Sequence, residues 1–375
     1  MSIRVLVVDD SAFMRHVVTR ELRADPEFDV IDSANDGEDA VAKVASLKPD
    51  VVTLDVEMPK MDGLTALRHI MAENPTPVVM LSSLTQTGAK VTIEALQAGA
   101  VEALGKPSGT VSLNLSTIRE DLHRAVKAAA QSRVWRRPIR APVASAPARP
   151  AARPRPGLTA TSAAAAPSRP TERQAPSQRS RLQVTDKVII IGSSTGGPAA
   201  LADVVPRLPA DLSAAVAIVQ HMPAGFTKSL AERLHDLSVL RVKEAEPGDV
   251  LMAGLVLVAP GGQHLTFRVG GRVSLTDDPP VHGVRPAVDV AMQSLAGQYG
   301  RKVVGAILTG MGSDGTDGCA AIRKAGGYVV AQDEATSVIY GMPRSVVEQD
   351  LADKVEPLPT IADTIADFAR QLPRR

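Results

Sequence analysis

Apolar residues in this chain gather in short continuous runs, at both ends of the sequence, instead of alternating with polar ones. Arg4-Val-Leu-Val-Val8, Phe28-Asp-Val-Ile31, Asp50-Val-Val-Thr-Leu-Asp55, Pro77-Val-Val-Met-Leu81 and Val101–Leu104 form a first set of five. The stretches between and after them, from Ser11, after Asp36-Gly37, from Asp62, near Lys90–Leu96 and near Leu113–Ala130, carry the spacing of helices. Short buried runs separated by helices predict a parallel sheet covered on both faces. A second set begins at Lys187-Val-Ile-Ile-Ile191 and continues through Ala214–Val219 and Val303–Leu308. The expectation is α/β throughout: a five-stranded, doubly wound parallel-sheet domain over 1–128, and a three-layer α/β/α domain with a mostly parallel sheet over 186–375.

Between them the pattern stops. From Arg133 to Thr185 Ala, Pro, Arg and Ser dominate without period, so 129–185 reads as a disordered linker. Arg133 to Arg181 contains eleven arginines, no lysine and one acid, Glu172, a net +10. The whole chain carries +1, so the rest carries −9: a basic tether joins two acidic halves. A solvated spacer is the plain reading. A flexible chain of ~50 residues has an r.m.s. span of roughly 40 Å, enough to let the domains dock. Cys319 is the single cysteine, which rules out an intrachain disulfide framework. The first residues form no signal-peptide pattern, and no apolar run reaches the roughly 20 residues needed to cross a bilayer. A soluble cytoplasmic protein is expected, neither inserted in membrane nor bound to nucleic acid.

Candidate chemistry sits at the carboxyl ends of the runs, where open α/β sheets form their ligand crevices. Asp9 and Asp10 end the first strand and Asp55 the third, so three carboxylates meet and call for a hard cation such as Mg²⁺. Ser82 ends the fourth strand, and Lys106, before Pro107, the fifth; both could hold the oxygens of a phosphoryl group on Asp55. On these residues, 1 to about 125 resembles the response-regulator receiver family. That resemblance implies phosphorylation of Asp55 by a partner sensor histidine kinase. It also implies Mg²⁺ held by Asp9, Asp10, Asp55 and the Glu57 main-chain carbonyl, with Ser82 and Lys106 as switch residues. Receivers often carry an aromatic switch residue three positions before the lysine; here it is Ala103, so loop and helix repositioning must carry the signal.

In the second half, Ile191-Gly-Ser-Ser-Thr-Gly-Gly-Pro198 follows a strand and opens a helix. It lacks the Gly-Lys-Ser/Thr of a phosphate-binding loop, but Gly192-Ser-Ser-Thr-Gly196 fits a nucleophile elbow centred on Ser194. His221 follows the next strand, and Asp314 lies in Thr309-Gly-Met-Gly-Ser-Asp-Gly315 after a third, so serine, imidazole and carboxylate can converge. His264 and His282, in Gly/Pro-rich loops, are rival bases and are placed in the substrate cleft together with Arg285. Cys319 reads as packing.

These motifs, with Ala259-Pro-Gly-Gly-Gln-His-Leu265, His282-Gly-Val-Arg-Pro-Ala-Val-Asp289 and Tyr340-Gly-Met-Pro343, make 186 to 370 similar to the chemotaxis protein-glutamate methylesterase family. The resemblance implies Ser194 as nucleophile, His221 as base and Asp314 as its orienter. It adds the Met311 main-chain amide in the oxyanion hole, support from Thr195, and no cofactor in this half. The implied reactions are hydrolysis of glutamate γ-methyl esters on chemoreceptor helices, releasing methanol, and deamidation of receptor glutamines. A monomer is expected, with an intramolecular interface through which the receiver blocks the cleft until Asp55 is phosphorylated. Most two-domain response regulators bind DNA, but that needs a basic helix-turn-helix after the linker, where this chain has buried strands.

Overall fold

The structure, a computed structural model, describes residues 2–83, 85–106, 115–132 and 183–372. The first half runs β1 (Ile3–Val8), α1 (Ala12–Arg23), β2 (Phe28–Ala34), α2 (Gly37–Leu47), β3 (Val51–Asp55), α3 (Gly63–Glu73), β4 (Val78–Ser82), α4 (Gln86–Ala98), β5 (Glu102–Gly105), α5 (Leu115–Gln131). Its strands pair in parallel in the order β2-β1-β3-β4-β5. Four helices start where a side chain accepts an otherwise unpaired N–H: Ser11 from Met14, Asp36 from Asp39, Asp62 from Thr65 and Thr85 from Gly88. Such caps stabilise by about 1 kcal/mol each and fix where the loops at the strand ends turn back.

The second half runs β6 (Gln183–Val184), β7 (Val188–Ser193), α6 (Gly197–Val204), β8 (Ala215–Gln220), α7 (Phe226–Leu237), β9 (Arg241–Glu244), β10 (Met252–Ala253), β11 (Leu255–Val258), β12 (His264–Arg268) and β13 (Arg272–Thr276). It continues through α8 (Val288–Tyr299), β14 (Val303–Ile307), α9 (Thr316–Lys324), β15 (Tyr328–Gln332), α10 (Met342–Glu348), β16 (Lys354–Glu356) and α11 (Leu358–Gln371). Seven strands form one parallel sheet, β16-β15-β14-β7-β8-β11-β9. Strand order reverses between β7 and β14, the place where such sheets open a crevice. β7 starts at the far end from that crevice, where the buried Lys187 ammonium donates to the Ala369 carbonyl in the last turn of α11.

Two features depart from the sequence reading. The expected linker has elements at both edges: α5 continues through Gln131 on Ala128-Ala-Ala130, and Gln183–Val184 pairs antiparallel with Met252–Ala253. The expected linker between these edges, from 133 to 182, falls outside the described residues. An antiparallel hairpin, β12 with β13, also stands beside the parallel sheet, turning on Gly270 and Gly271 at positive φ.

The halves meet. Helix α4 packs on α6 and α7, joined by a hydrogen bond from Arg233 to Gln97 (3.1 Å) and by Lys90–Glu232 (3.6 Å). The Gly196 amide donates to the Val101 carbonyl at 3.3 Å, so the loop entering β5 lies on the turn that leaves β7.

Candidate active site and phosphoacceptor pocket

Ser193 and Ser194 are adjacent, and the fold separates them. Ser193 ends β7 fully buried, its hydroxyl donating to Gln220 Oε1 (2.7 Å). Ser194, one residue on, lines a cavity of about 230 Å³ with Thr195, His221, His282, Met311 and Asp314. The chain turns sharply there because Gly196 takes φ +78° and α6 starts at once with Pro198 in its first turn. The Ser194 amide donates to the Thr309 carbonyl (3.0 Å), which carries the β7–β14 ladder one step into the loop bearing Met311 and Asp314.

His221 Nε2 is 2.7 Å from Asp314 Oδ2, with side chains 6% and 3% exposed. That contact leaves Nδ1 as the nitrogen free to serve a hydroxyl. Asp314 also accepts two backbone N–H groups at the start of α8, from Val288 (2.7 Å) and Asp289 (2.9 Å). Burial pushes the Asp314 carboxyl up, but His221 and the two amides outweigh it and hold it below the usual carboxylate value. A carboxylate whose charge is favoured in this way, fixed to imidazole beside a serine, can orient a base and stabilise the imidazolium it becomes.

The loop Thr309–Ser313 is pinned from below. Thr309 Oγ1 donates to the Thr195 carbonyl (3.0 Å) and accepts from the Ile339 amide (2.9 Å), and the Thr309 amide donates to buried Gln332 (2.8 Å). Gly310 accepts from the amides of Gly341 (3.1 Å) and Met342 (2.8 Å). The Tyr340-Gly-Met-Pro343 motif is thus the support of the Met311 loop.

The three cleft candidates divide. His282 does line the cavity, with Nε2 3.0 Å from Asp289 Oδ2. His264 does not: it is 1% exposed, accepts from the Ala287 amide at Nδ1 (3.1 Å) and donates to the Pro279 carbonyl (3.1 Å), so both nitrogens are used in holding the loop before α8. Arg285 is turned away as well, its guanidinium donating to the carbonyls of Asp277 and Asp278 (2.8 and 2.9 Å). Both histidines look alike in a Gly/Pro-rich sequence; only the fold says which one faces the cleft. Glu102 of β5 was missed by sequence reasoning. Its carboxylate accepts from Thr195 Oγ1 at 2.5 Å and lines the cavity beside Ser194, with Arg124 of α5 next to it. Burial pushes the Glu102 carboxyl up, against the opposing pull of that hydroxyl.

In the first half, Asp9, Asp10 and Asp55 offer carboxylate oxygens within 4.8 Å of one another. Lys106 Nζ lies 2.7 Å from Asp9 Oδ2 and 2.8 Å from Asp55 Oδ2. Asp9 Oδ2 is buried and, despite that ion pair, accepts no well-directed hydrogen bond. Three converging carboxylates answered by a single ammonium, a set of hard oxygen donors, fit a divalent cation. Burial pushes Asp55 up to about 6, opposed by Lys106 and reinforced by Asp9. Ser82 ends β4 buried, its hydroxyl directed to the Ser83 carbonyl (3.2 Å).

Comparison with known proteins follows this division. Residues 5–116 match the response regulator receiver domain and 189–365 match CheB methylesterase. Fold and family matches together define a class: an esterase carrying its own phosphorylation-type receiver. A protein-glutamate methylesterase/protein-glutamine glutaminase of Symbiobacterium thermophilum is 50% identical over 369 residues, 97% of this chain and 96% of its own length. One of the same description from Pyrococcus horikoshii is 43% identical, covering 97% and 92%. The crystal structure of the Thermotoga maritima CheB methylesterase catalytic domain covers 48% of this chain and 98% of its own, at 45% identity and TM-score 0.48. The chain belongs to the protein-glutamate methylesterase/protein-glutamine glutaminase family. Among the described residues, no helix is long and apolar enough to cross a membrane.

Proposed function

We propose that Ser194, His221 and Asp314 form the catalytic triad of a receptor-demethylating enzyme acting in sensory adaptation. Ser194 Oγ attacks the γ-carbonyl of a methylated glutamate and passes its proton to His221 Nδ1. The Met311 amide, presented by the pinned 309–313 loop, stabilises the oxyanion, a contribution worth about 10²–10³ in rate. Methanol leaves with the proton from His221, and water, activated by the same base, hydrolyses the acyl-enzyme to glutamate. A receptor glutamine gives the same acyl-enzyme with loss of ammonia. The His221–Asp314 pair beside Ser194 in one cavity is the observation that carries this reading. The substrates are γ-methyl esters on cytoplasmic helices of methyl-accepting chemoreceptors, and the protein works as a cytoplasmic monomer.

In this reading 1–128 is the switch, 129–185 the tether and 186–375 the catalyst. Asp55 takes a phosphoryl group from a chemotaxis histidine kinase. Asp9, Asp10, Asp55 and the Glu57 carbonyl would hold Mg²⁺, which supplies the charge neutralisation that lets phosphate oxygens enter an acidic pocket. Ser82 and Lys106 hold those oxygens. The unphosphorylated receiver covers the cleft, and Glu102 is its plug: a glutamate, the side chain the reaction produces, seated beside Ser194. Strand β5 carries Glu102 at its start and leads directly into Lys106, so movement of Lys106 toward a phosphoryl group pulls on the strand that holds the plug. That path dispenses with an aromatic at Ala103.

The test is methanol release from methylated chemoreceptor membranes, with and without a small phosphodonor and Mg²⁺. Release should vanish in Ser194→Ala, and the phosphodonor effect should vanish in Asp55→Ala. Release that survives Ser194→Ala would refute the triad; equal release with and without phosphodonor would refute the switch.

A further inference from the structure

Strand β8 is apolar from Ala215 to Val219 and closes on an amide, Gln220, with no exposure at all. A buried amide is costly unless each of its groups is paired. Here each is, and the partners are the informative part. Oε1 accepts from the hydroxyl of Ser193 (2.7 Å). Nε2 donates twice, to the carbonyl of Ser194 (2.9 Å) and to the carbonyl of His221 (3.1 Å). A backbone bond from the His221 amide to the Ser193 carbonyl (3.1 Å) closes the same ring. One planar group therefore ties together the two turns that carry nucleophile and base.

The surrounding chain is cut to fit it. A Cβ on Gly197, the first residue of α6, would lie 1.9 Å from Gln220 Oε1. The helix that follows the nucleophile can start where it does only because that position is bare, which lets the amide oxygen reach Ser193. Gln220 and Ser193 are fully buried and off the cavity wall, so the amide acts through the residues it holds.

We propose that Gln220 is a positioning residue: it sets the distance and angle between Ser194 and His221, and Ser193 holds it in place. The inference rests on the triad reading. Proton transfer between hydroxyl and imidazole tolerates little error; a displacement of about 1 Å can cost on the order of 10²-fold in rate. The Gln220 bridge acts on turnover and leaves the cleft walls that recognise substrate alone.

The experiment uses the full-length chain as wild type, Gln220→Met, Ser193→Ala and Ser194→Ala. Demethylation is followed as kcat and KM, and a fluorophosphonate probe, which phosphonylates serine with loss of fluoride, reports the nucleophilic reactivity of Ser194 against pH. Circular dichroism and thermal melting report the fold. Gln220→Met, close in shape but without the amide, should lose roughly 10²-fold in kcat with KM within about two-fold, and Ser194 labelling should slow by a similar factor. Ser193→Ala should lose roughly five-fold, as expected for one hydrogen bond. A folded Gln220→Met enzyme within about three-fold of wild type in kcat, or one whose loss falls on KM, overturns the proposal. If Gln220→Met does not fold, Ser193→Ala decides, and a kcat indistinguishable from wild type overturns it. Turnover surviving in Ser194→Ala would instead sink the triad reading itself.

Discussion

Asp55 ends a central strand of its parallel sheet and Asp314 lies in the loop that follows one, both on the carboxyl side, and each is almost fully buried. Burial pushes both carboxyls up. Asp55 stays high, at about 6, because its surroundings add a second negative charge, Asp9, and one shared cation, Lys106. Asp314 falls below its usual value because two amides of α8 and His221 all donate to it. The difference is one of preorganisation. Asp314 has its partners built in and serves as a fixed charge. Asp55 is left under-compensated, which suits the phosphoacceptor role proposed for it. A shared position in the topology thus yields a passive carboxylate or a reactive one, depending on donors only a few ångströms away.

The sharpest break of that comparison is Asp314→Asn, which removes the fixed charge and the tautomer it enforces. A loss on the order of 10⁴ in kcat is expected, read as methanol release with little change in KM. Each site also has a glycine that cannot carry a side chain: a Cβ on Gly63 would lie 1.9 Å from the Asp55 carbonyl oxygen, and one on Gly197 1.9 Å from Gln220 Oε1. Gly63→Ala and Gly197→Ala should each destabilise their own half by about 1–3 kcal/mol. Gly63→Ala should abolish phosphodonor response while leaving Ser194 reactive, and Gly197→Ala should do the reverse; probe labelling and phosphorylation assays separate them. A third test concerns Asp289, which burial beside Asp314 pushes up to about 6. Its folded value lies above its unfolded one, so the folded protein holds that proton more tightly. The stability this lends at low pH is lost as pH rises from about 4 to about 6, on the order of 2 kcal/mol. Asp289→Asn still offers the Gly318 amide an oxygen and cannot ionise, so urea melts across pH 4–7 should lack that decline relative to wild type. The smallest expected effect joins the two sites: Glu102→Ala should raise unphosphorylated esterase activity by roughly five- to ten-fold, as for an interdomain contact of modest coupling energy. No rise would mean that Glu102 is a bystander at the interface.

Much of this was legible in the sequence because strand-end chemistry is local. A buried apolar run followed by Asp, Ser, His or Lys names both the strand and the side chain at its mouth, and the structure has Asp9, Asp55, Ser194 and His221 at such strand ends. What stayed hidden depends on non-local packing. His264 and His282 share a Gly/Pro-rich context, and only the path of the loop before α8 buries one and exposes the other. Glu102 reads as an unremarkable strand acid until the receiver is set on the esterase. The hairpin β12–β13 was passed over, although the Gly270-Gly271 pair between apolar alternations marks it. Gln220 left a trace too: it is the one polar residue in an otherwise apolar strand.

The anchoring of Lys187 to the end of α11 has a consequence for the tether. With the pairing of β6 on β10, it anchors the start of the esterase half at the base of the sheet, and the six residues of β7 put the cleft about 20 Å away. In the proposed self-inhibited arrangement, Arg124 and Ala125 of α5 line the cleft, so residues 133–182 have to connect that helix with the base of the sheet. Once the tether is long enough to make that trip, local concentration falls only slowly with added length, roughly as the −3/2 power. Below that length it drops to nothing. Lengthening the Arg/Pro-rich segment should thus loosen the proposed self-inhibition gradually, whereas trimming it should abolish that inhibition abruptly.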